Sequence, residues 1–119
     1  SHVDLYPTLT DLCGLPPEPH APAGGLPLAG QTLRPLLAAP GLSERPGSPV
    51  ALSSVRGDSG IHHSVRSATH RYTLCGNGEE ELYDHRSDPH EWHNLAADPR
   101  HDAVRTDLRR ELVQLVTGV

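Results

Sequence analysis

Proline and glycine divide the chain into parts that cannot fold in the same way. Between residues 15 and 31 one of them occurs at least every three positions, at Pro16, Pro17, Pro19, Pro22, Gly24, Gly25, Pro27 and Gly30. Proline fixes φ and lacks an amide donor, so this stretch excludes a regular helix or strand. A second stretch of this kind, residues 40–49, precedes a change of pattern. We therefore predict two regions, residues 1–49 and 50–119.

Two short helices are predicted in the first region, one on each side of the proline-rich loop. The first covers residues 4–13, with Asp4 as its N-cap. The second begins near residue 32, with Thr32 as its cap and Pro35 in the first turn. One face of the first helix is apolar and consists of Leu5, Leu9, Leu12 and Cys13. This spacing is typical of a buried helix face, so Cys13 is interpreted as a small core residue.

Residues 50–119 change to β-forming residues and then to a helical pattern. Strands are predicted at Val50–Val55, within Ser64–Leu74 with a turn near Ser67–His70, and at Glu81–Tyr83, and Gly76-Asn77-Gly78 indicates a hairpin turn. A last helix follows Asp98 and Pro99. Its apolar stripe consists of Val104, Leu108, Leu112 and Leu115. The predicted fold is α+β, a small antiparallel sheet with one packed C-terminal helix.

Composition limits the size of the core and the classes of partner. Hydrophobic residues make up 35% of the chain, and Phe and Met are absent, so the core must be small. The formal net charge of −5, with 15 acidic against 10 basic residues, argues against a nucleic-acid partner. A membrane span needs roughly 20 consecutive apolar residues, and the sequence contains no such run. We predict neither nucleic-acid binding nor a membrane span.

The segment Gly57–His63 is the strongest candidate for contact with a ligand. It is predicted to be a loop between two strands, and binding residues concentrate on loops held by a rigid scaffold. His62 and His63 can donate hydrogen bonds to anionic oxygens, and the Arg66 guanidinium can donate two parallel hydrogen bonds to a sulfate or carboxylate. The alternative is a solvated connector. For Arg66, as for Arg71, the alternative is pairing with acids such as Glu79–Glu81 or Asp84.

Two other constellations suggest chemistry but are weaker. His90-x-x-His93, with Asp88 and Glu91 beside it, contains metal-ligand types, yet no third and fourth ligands are fixed, so no metal site is predicted. Asp58-Ser59 precedes His62 and His63, but no Gly-x-Ser-x-Gly element accompanies them. A serine-hydrolase triad is recognised by geometry rather than composition, so none is predicted.

Six segments together resemble the C-terminal part of type I sulfatases, which belong to the alkaline-phosphatase-like superfamily. They are Val3-Asp4-Leu5-Tyr6-Pro7-Thr8-Leu9, Gly30-Gln31-Thr32-Leu33-Arg34-Pro35-Leu36-Leu37, His63-Ser64-Val65-Arg66-Ser67, Arg71-Tyr72-Thr73, Glu81-Leu82-Tyr83-Asp84 and Asp88-Pro89-His90-Glu91-Trp92-His93-Asn94-Leu95-Ala96. Each is moderately specific alone, but their order and spacing together are strong evidence. The second half is most similar to the iduronate-2-sulfatase branch.

The resemblance implies that residues 1–49 end an α/β catalytic domain and that residues 50–119 form the C-terminal subdomain. It also implies a formylglycine, made in a Cys-x-Pro-x-Arg motif, and a calcium ion in the parent enzyme. Neither Cys13 nor Cys75 is followed by Pro-x-Arg. The catalytic residues are therefore expected upstream, and this segment alone is expected to be inactive. The implied partners are the upstream catalytic domain and a sulfated carbohydrate, and a periplasmic or secreted parent is implied.

Several alternatives stay open at this point. The chain could be a stand-alone α+β module that binds another protein, or the tail of a related phosphonate or phosphodiester hydrolase, because fold alone does not settle chemistry. Cys13 and Cys75 could be bonded or free. Trp92, the single tryptophan, could be a platform for stacking a sugar, but core packing is the favoured interpretation.

Overall fold

The chain forms two compact units, Ser1–Ser48 and Pro49–Val119. The computed structural model describes residues 2–17, 24, 28, 30–40 and 50–118. The predicted linker at 40–49 lies outside this part of the chain except for its first residue. None of the helices in the described residues is both long and apolar enough to cross a membrane.

The first unit contains both predicted helices. A 3₁₀ turn at His2–Asp4 leads into α1, Leu5–Leu12, and α2 covers Arg34–Ala38. The caps differ from the prediction. Asp4 makes no side-chain cap hydrogen bond, because its carboxylate instead accepts the Gln31 N–H at 3.0 Å. Residue 33 rather than Thr32 is the N-cap of α2, although the Thr32 hydroxyl accepts the amide of the first helical residue at 3.2 Å.

Polar side chains of α1 bind the segment that leads into α2. The Thr8 hydroxyl accepts the Leu33 N–H at 2.8 Å, and the Asp11 carboxylate accepts the Thr32 hydroxyl at 2.8 Å. Arg34 donates to the other Asp11 oxygen at 2.8 Å. These contacts join residues more than 20 positions apart in sequence, so the polar face of α1 holds the unit together.

The leucine face of α1 points outward, contrary to the usual placement of such a face. Leu5, Leu9 and Leu12 are 53%, 60% and 54% exposed, whereas Thr8 is buried. The prediction that Cys13 is a core residue is wrong, since it is exposed. The cause is that the polar face of α1 is used for the contacts with residues 31–34. The apolar face therefore has no cover among the described residues of this unit.

The second unit contains a four-stranded antiparallel sheet in the order β1-β2-β3-β4. Its strands are β1, Ala51–Gly57; β2, Gly60–Arg66; β3, His70–Leu74; and β4, Glu80–Asp84. The predicted α+β class is confirmed. Each strand lies within a few residues of its predicted position, and the predicted hairpin turn at Gly76-Asn77-Gly78 joins β3 to β4.

The prediction that Gly57–His63 forms a loop is wrong. Gly57 pairs with Gly60, so only two residues separate β1 from β2, and both His62 and His63 lie within β2. Gly60 adopts φ +116°, which glycine tolerates and other residues rarely adopt. A Cβ on Gly57 would lie 2.8 Å from His62 Nε2, so glycine there also leaves room for the imidazole.

A C-terminal helix packs against the sheet and completes the core. A 3₁₀ turn at Pro99–His101 precedes α3, Asp102–Thr117, and the Asp98 carboxylate accepts the Arg100 N–H at 3.0 Å, as expected of a cap. The core consists of Val65, Tyr72, Leu82, Ala96, Leu108 and Leu112. Leu115 is 39% exposed, so the apolar stripe of α3 is shorter than predicted.

The segment after β4 returns along the edge of that strand. Leu95 N–H donates to Leu82 O at 2.8 Å. The Asn94 side chain accepts the amides of Leu82 at 3.0 Å and Ala96 at 2.9 Å, and it donates to Glu80 O at 3.1 Å. A single amide side chain thus satisfies three backbone groups beside β4. Sequence reasoning did not single out Asn94, although its place after a turn is a typical position for such a contact.

Candidate functional site

The three candidate residues of the sheet do not all share a face. His62 and His63 are successive in β2, and successive side chains of a strand project to opposite faces. His63 shares the face of Val65, which packs in the core beneath α3. His62 shares the other face with Arg66, about 13 Å away along the strand at the usual rise per residue. The structure therefore groups His62 with Arg66 and separates His63 from both.

Each of the two histidines lies beside a serine. His62 Nε2 is 3.3 Å from Ser59 Oγ, and His63 Nδ1 is 2.8 Å from Ser54 Oγ. Within the described residues, no carboxylate forms a hydrogen bond or ion pair with either ring. A nucleophilic triad needs a third group that orients the base, so neither pair has the geometry of a hydrolase site. The serines instead fix the orientation of the imidazoles.

Arg66 and Arg71 are cross-strand neighbours with different surroundings. Arg71 forms an ion pair with Glu91 and lies 5.6 Å from the centre of the Tyr83 ring. The predicted partners for Arg71, Glu79–Glu81 or Asp84, are therefore wrong. Arg66 is exposed and has no ion pair among the residues that the structure describes. It remains a cation that a ligand could reach.

Glu91 has an uncommon backbone conformation, with φ +59°. For a residue other than glycine the left-handed region costs about 1–2 kcal/mol. Two side chains hold its carboxylate: the Arg71 guanidinium, and the His85 ring through Nε2 at 2.6 Å from Oε1. The Glu91 side chain is only 20% exposed, so these contacts are less screened than surface ion pairs. They offset the strain and fix the shape of the turn that follows β4.

Trp92 follows Glu91 and is 77% exposed. The prediction that Trp92 anchors the core is wrong. Leu95 and Ala96 fill the space beside β4 instead, and the Trp92 ring stacks on His90 with centroids 5.0 Å apart and planes 23° apart. The left-handed residue before it alters the chain direction, which a sequence pattern alone does not show.

The residues that could have held a metal are engaged otherwise. Asp88 accepts the His93 N–H at 2.8 Å, and Glu91 is held by Arg71 and His85, so His90-x-x-His93 gathers no ligand set. Among the described residues, no three His, Cys, Asp or Glu side chains are placed to hold a metal ion. Both cysteines are free thiols. The described residues therefore do not fit a calcium site, and neither Cys13 nor Cys75 lies in the Cys-x-Pro-x-Arg motif that a formylglycine requires.

Known proteins resemble this chain over nearly its whole length. No protein-family profile matches it. It is 35% identical over 121 residues to the Delta 4,5-hexuronate-2-O-sulfatase of Bacteroides thetaiotaomicron, covering 97% of this chain and 23% of that protein. A solved 2-O GAG sulfatase matches with 30% identity and a TM-score of 0.74, over 96% of this chain and 24% of its own.

A phosphonate monoester hydrolase of Agrobacterium radiobacter also matches, with 27% identity and a TM-score of 0.70 over 97% of this chain and 24% of its own. The chain spans about a quarter of the length of these relatives. The predicted resemblance to sulfatases and to their superfamily is confirmed. The chain corresponds to a C-terminal portion of such enzymes.

Proposed function

We propose that this chain is the C-terminal part of a sulfuric ester hydrolase that removes a 2-O-sulfate from a uronate-containing sugar. The observation that carries the proposal is the 35% identity to a hexuronate-2-O-sulfatase across 97% of the chain. The iduronate-2-sulfatase-like motifs in residues 63–96 agree with that substrate class. In this proposal residues 1–49 end the catalytic domain and residues 50–119 form the C-terminal subdomain.

The chemistry itself is assigned to the upstream part of the parent enzyme. Hydrolysis of a sulfate ester needs a positioned nucleophile, neutralisation of the sulfate oxygens and an acid for the leaving alcohol. The described residues contain no metal-ligand cluster, and neither Cys13 nor Cys75 lies in a Cys-x-Pro-x-Arg motif. We infer that formylglycine and calcium belong to the upstream domain.

The exposed face of α1 supports the assignment of residues 1–49. Leu5, Leu9 and Leu12 expose more than half of their surfaces on one helix. Burying apolar surface contributes about 25 cal/mol per Å², so a covered leucine face stabilises contact with another domain. The proposed cover is the upstream catalytic domain of the same protein.

The role of the second unit is to contribute contacts to the distal part of the substrate. His62 and Arg66 share the sheet face opposite α3, where an imidazole and a guanidinium can donate to sulfate or carboxylate oxygens. His63 projects to the other face and is held by Ser54. Of the two histidines that the sequence singles out, His62 is therefore the better candidate for contact with substrate.

The parent assignment is tested by extending the gene upstream of residue 1. The longer reading frame is expected to encode Cys-x-Pro-x-Arg, and the longer protein to desulfate a 2-O-sulfated disaccharide with calcium present. The 119-residue chain assayed alone is expected to show no turnover above buffer. Sulfate release is measured by ion chromatography. Activity of the short chain that persists through purification would contradict the proposal.

The same longer protein separates the remaining alternatives. The match to a phosphonate monoester hydrolase makes phosphonate ester hydrolysis the second candidate function. Faster turnover of a phenyl phosphonate ester than of the sulfated disaccharide would favour it. A start codon directly before residue 1, with no upstream domain, would favour a stand-alone interaction module instead.

The opposite orientations of His62 and His63 provide a matched pair of variants in the longer protein. His62→Ala is expected to lower kcat/KM for the sulfated disaccharide by about 13- to 150-fold, the loss for one hydrogen bond to a charged group. His63→Ala also removes an imidazole, but from the other face of the sheet, and is expected to change kcat/KM for the disaccharide less than about twofold. A small aryl sulfate, which lacks the distal sugar, is the control substrate. Equal effects of both variants, or of one variant on both substrates, would exclude the assigned contact.

A further inference from the structure

The turn after β4 carries the largest exposed aromatic surface in the described part of the chain. Trp92 is 77% exposed, although tryptophan is highly buried on average in folded proteins. His90 covers part of the indole in a stacked arrangement, with ring centroids 5.0 Å apart. His93, also strongly exposed, is the next residue but one after the strained Glu91. We call His90, Trp92 and His93 the aromatic ledge.

The ledge is built on a turn held by its own contacts rather than on a loose loop. The Glu91 N–H donates to Asp88 O at 3.2 Å, and the His93 N–H donates to the Asp88 carboxylate at 2.8 Å. Arg71 and His85 hold the Glu91 carboxylate from the sheet side. Because Glu91 lies between His90 and Trp92, fixing its left-handed conformation also fixes the direction in which both rings project. Conformational strain of this kind clusters at ligand-binding sites.

The chemistry of the ledge fits a sugar ring that carries acidic groups. A flat indole face packs against the C–H groups of a pyranose, whereas imidazole N–H groups donate to hydroxyl, carboxylate or sulfate oxygens. His93 Nδ1 lies 3.7 Å from the Asp88 carboxylate, but a purely apolar protein partner would still leave the other polar edges of the two imidazoles unpaired, which costs free energy on burial. These features favour an acidic saccharide over an apolar protein surface.

We propose that the aromatic ledge binds the pyranose ring of an acidic saccharide, with Trp92 as the stacking residue and His90 and His93 as polar donors. Arg71, His85 and Glu91 are positioning residues that maintain the turn. The inference takes its ligand class, a sulfated uronate-containing sugar, from the proposed function. It adds a binding site that does not depend on which residues cleave the ester.

The single tryptophan makes direct observation of the ledge possible, since fluorescence of the 119-residue chain reports on Trp92 alone. A saturable change in its emission is expected on titration with a 2-O-sulfated unsaturated uronate disaccharide. Trp92→Ala, measured by calorimetry, is expected to raise Kd by about 2- to 12-fold, the range for loss of one aromatic stack. Trp92→Phe should recover part of this loss. Val55→Ala, at another exposed apolar residue of the same unit, should leave Kd unchanged.

The longer protein distinguishes failure of this inference from failure of the proposed function. With the sulfated disaccharide, Trp92→Ala should raise KM and leave kcat unchanged, and a small aryl sulfate should show neither effect. Full desulfation with an unchanged KM in Trp92→Ala would overturn the ledge and keep the proposed function. Saccharide binding at Trp92 without desulfation by the longer protein would overturn the proposed function and keep the saccharide-binding role of the aromatic ledge. Strong protection of Trp92 from acrylamide quenching in the longer protein would show that another domain covers the ledge, which also overturns it.

Discussion

Replacing Leu112 by alanine is expected to lower the free energy of unfolding of the second unit by about 2–5 kcal/mol. The Leu112 side chain is 2% exposed and belongs to the cluster that joins α3 to the sheet. Its partners include Val65, Tyr72 and Leu82, each fully buried. A cavity there cannot close easily, because rigid strands hold one wall. The loss is measured by urea unfolding followed by circular dichroism.

The matched control for this experiment lies on the same helix. Leu115→Ala makes the same chemical change one turn later, where the side chain is already 39% exposed. It is expected to cost less than about 1 kcal/mol, nearer the range of surface substitutions. Similar losses for the two variants would show that the packing of α3 differs from that described. A loss below about 0.5 kcal/mol at Leu112 would place the helix away from the sheet.

The strands and the last helix of the second unit could be predicted because several local signals agree there. Alternating β-formers, the Gly76-Asn77-Gly78 turn and the Asp98 cap each predict the same arrangement. The leucine spacing in α3 then indicates which face meets the sheet. Two ends differ from the prediction: β2 begins at Gly60, inside the segment predicted as a loop, and α3 loses contact with the sheet before Leu115. Where a strand begins or a helix stops contacting its sheet depends on tertiary geometry.

The first unit shows why an apolar stripe does not reveal what covers it. The spacing of Leu5, Leu9 and Leu12 predicted the helix, and the helix is present. The same pattern suggested burial, but the described residues of that unit bind α1 through Thr8 and Asp11 instead. Periodicity identifies a face that favours burial. It does not say whether the cover lies within the same segment.

The candidate site could be predicted by residue type but not by geometry. His62, His63 and Arg66 were grouped by sequence proximity. All three lie in β2, where side chains alternate between the two faces of the sheet, so His63 projects to the face opposite that of His62 and Arg66. The two-residue turn at Gly57–Gly60 was missed because small polar residues there also suit a longer loop. The exposure of Trp92 depends on the left-handed Glu91, and no sequence pattern indicated that conformation.

Acidification is expected to destabilise the second unit in two stages. Burial lowers the pKa of His70, and this outweighs the opposing effect of Asp84, whose carboxylate lies 3.7 Å from His70 Nε2. Arg86, His101 and His85 also disfavour a charge on His70. Below a pH of about 6.5 the unfolded chain binds a proton at this residue more readily than the folded one. Stability therefore falls as the pH drops through that value.

The second stage arises from carboxylates that the fold stabilises in the charged form. Arg86 donates to Asp84 from its side chain, at 2.9 and 2.7 Å, and from its backbone at 3.0 Å, and these bonds hold the pKa of Asp84 well below its usual range. Arg100 does the same for the pKa of Asp98. A lowered folded-state pKa contributes stability above the unfolded value, near 4, and that stability is lost as the pH falls further.

Chemical unfolding at pH values from 8 to 2 measures both stages. The free energy of unfolding should decline modestly between about pH 6.5 and 5 and more steeply below about pH 4. Asp84→Asn should be less stable than the wild type at neutral pH and show a shallower decline below pH 4, because its side chain no longer binds a proton there. Asp107→Asn is the control, since that carboxylate lies on the exposed side of α3 and pairs only with Arg110 among the described residues. Its acid decline should match that of the wild type. Stability that rises on acidification, or an Asp84→Asn profile as steep as that of the wild type, would contradict the described Asp84–Arg86 contact.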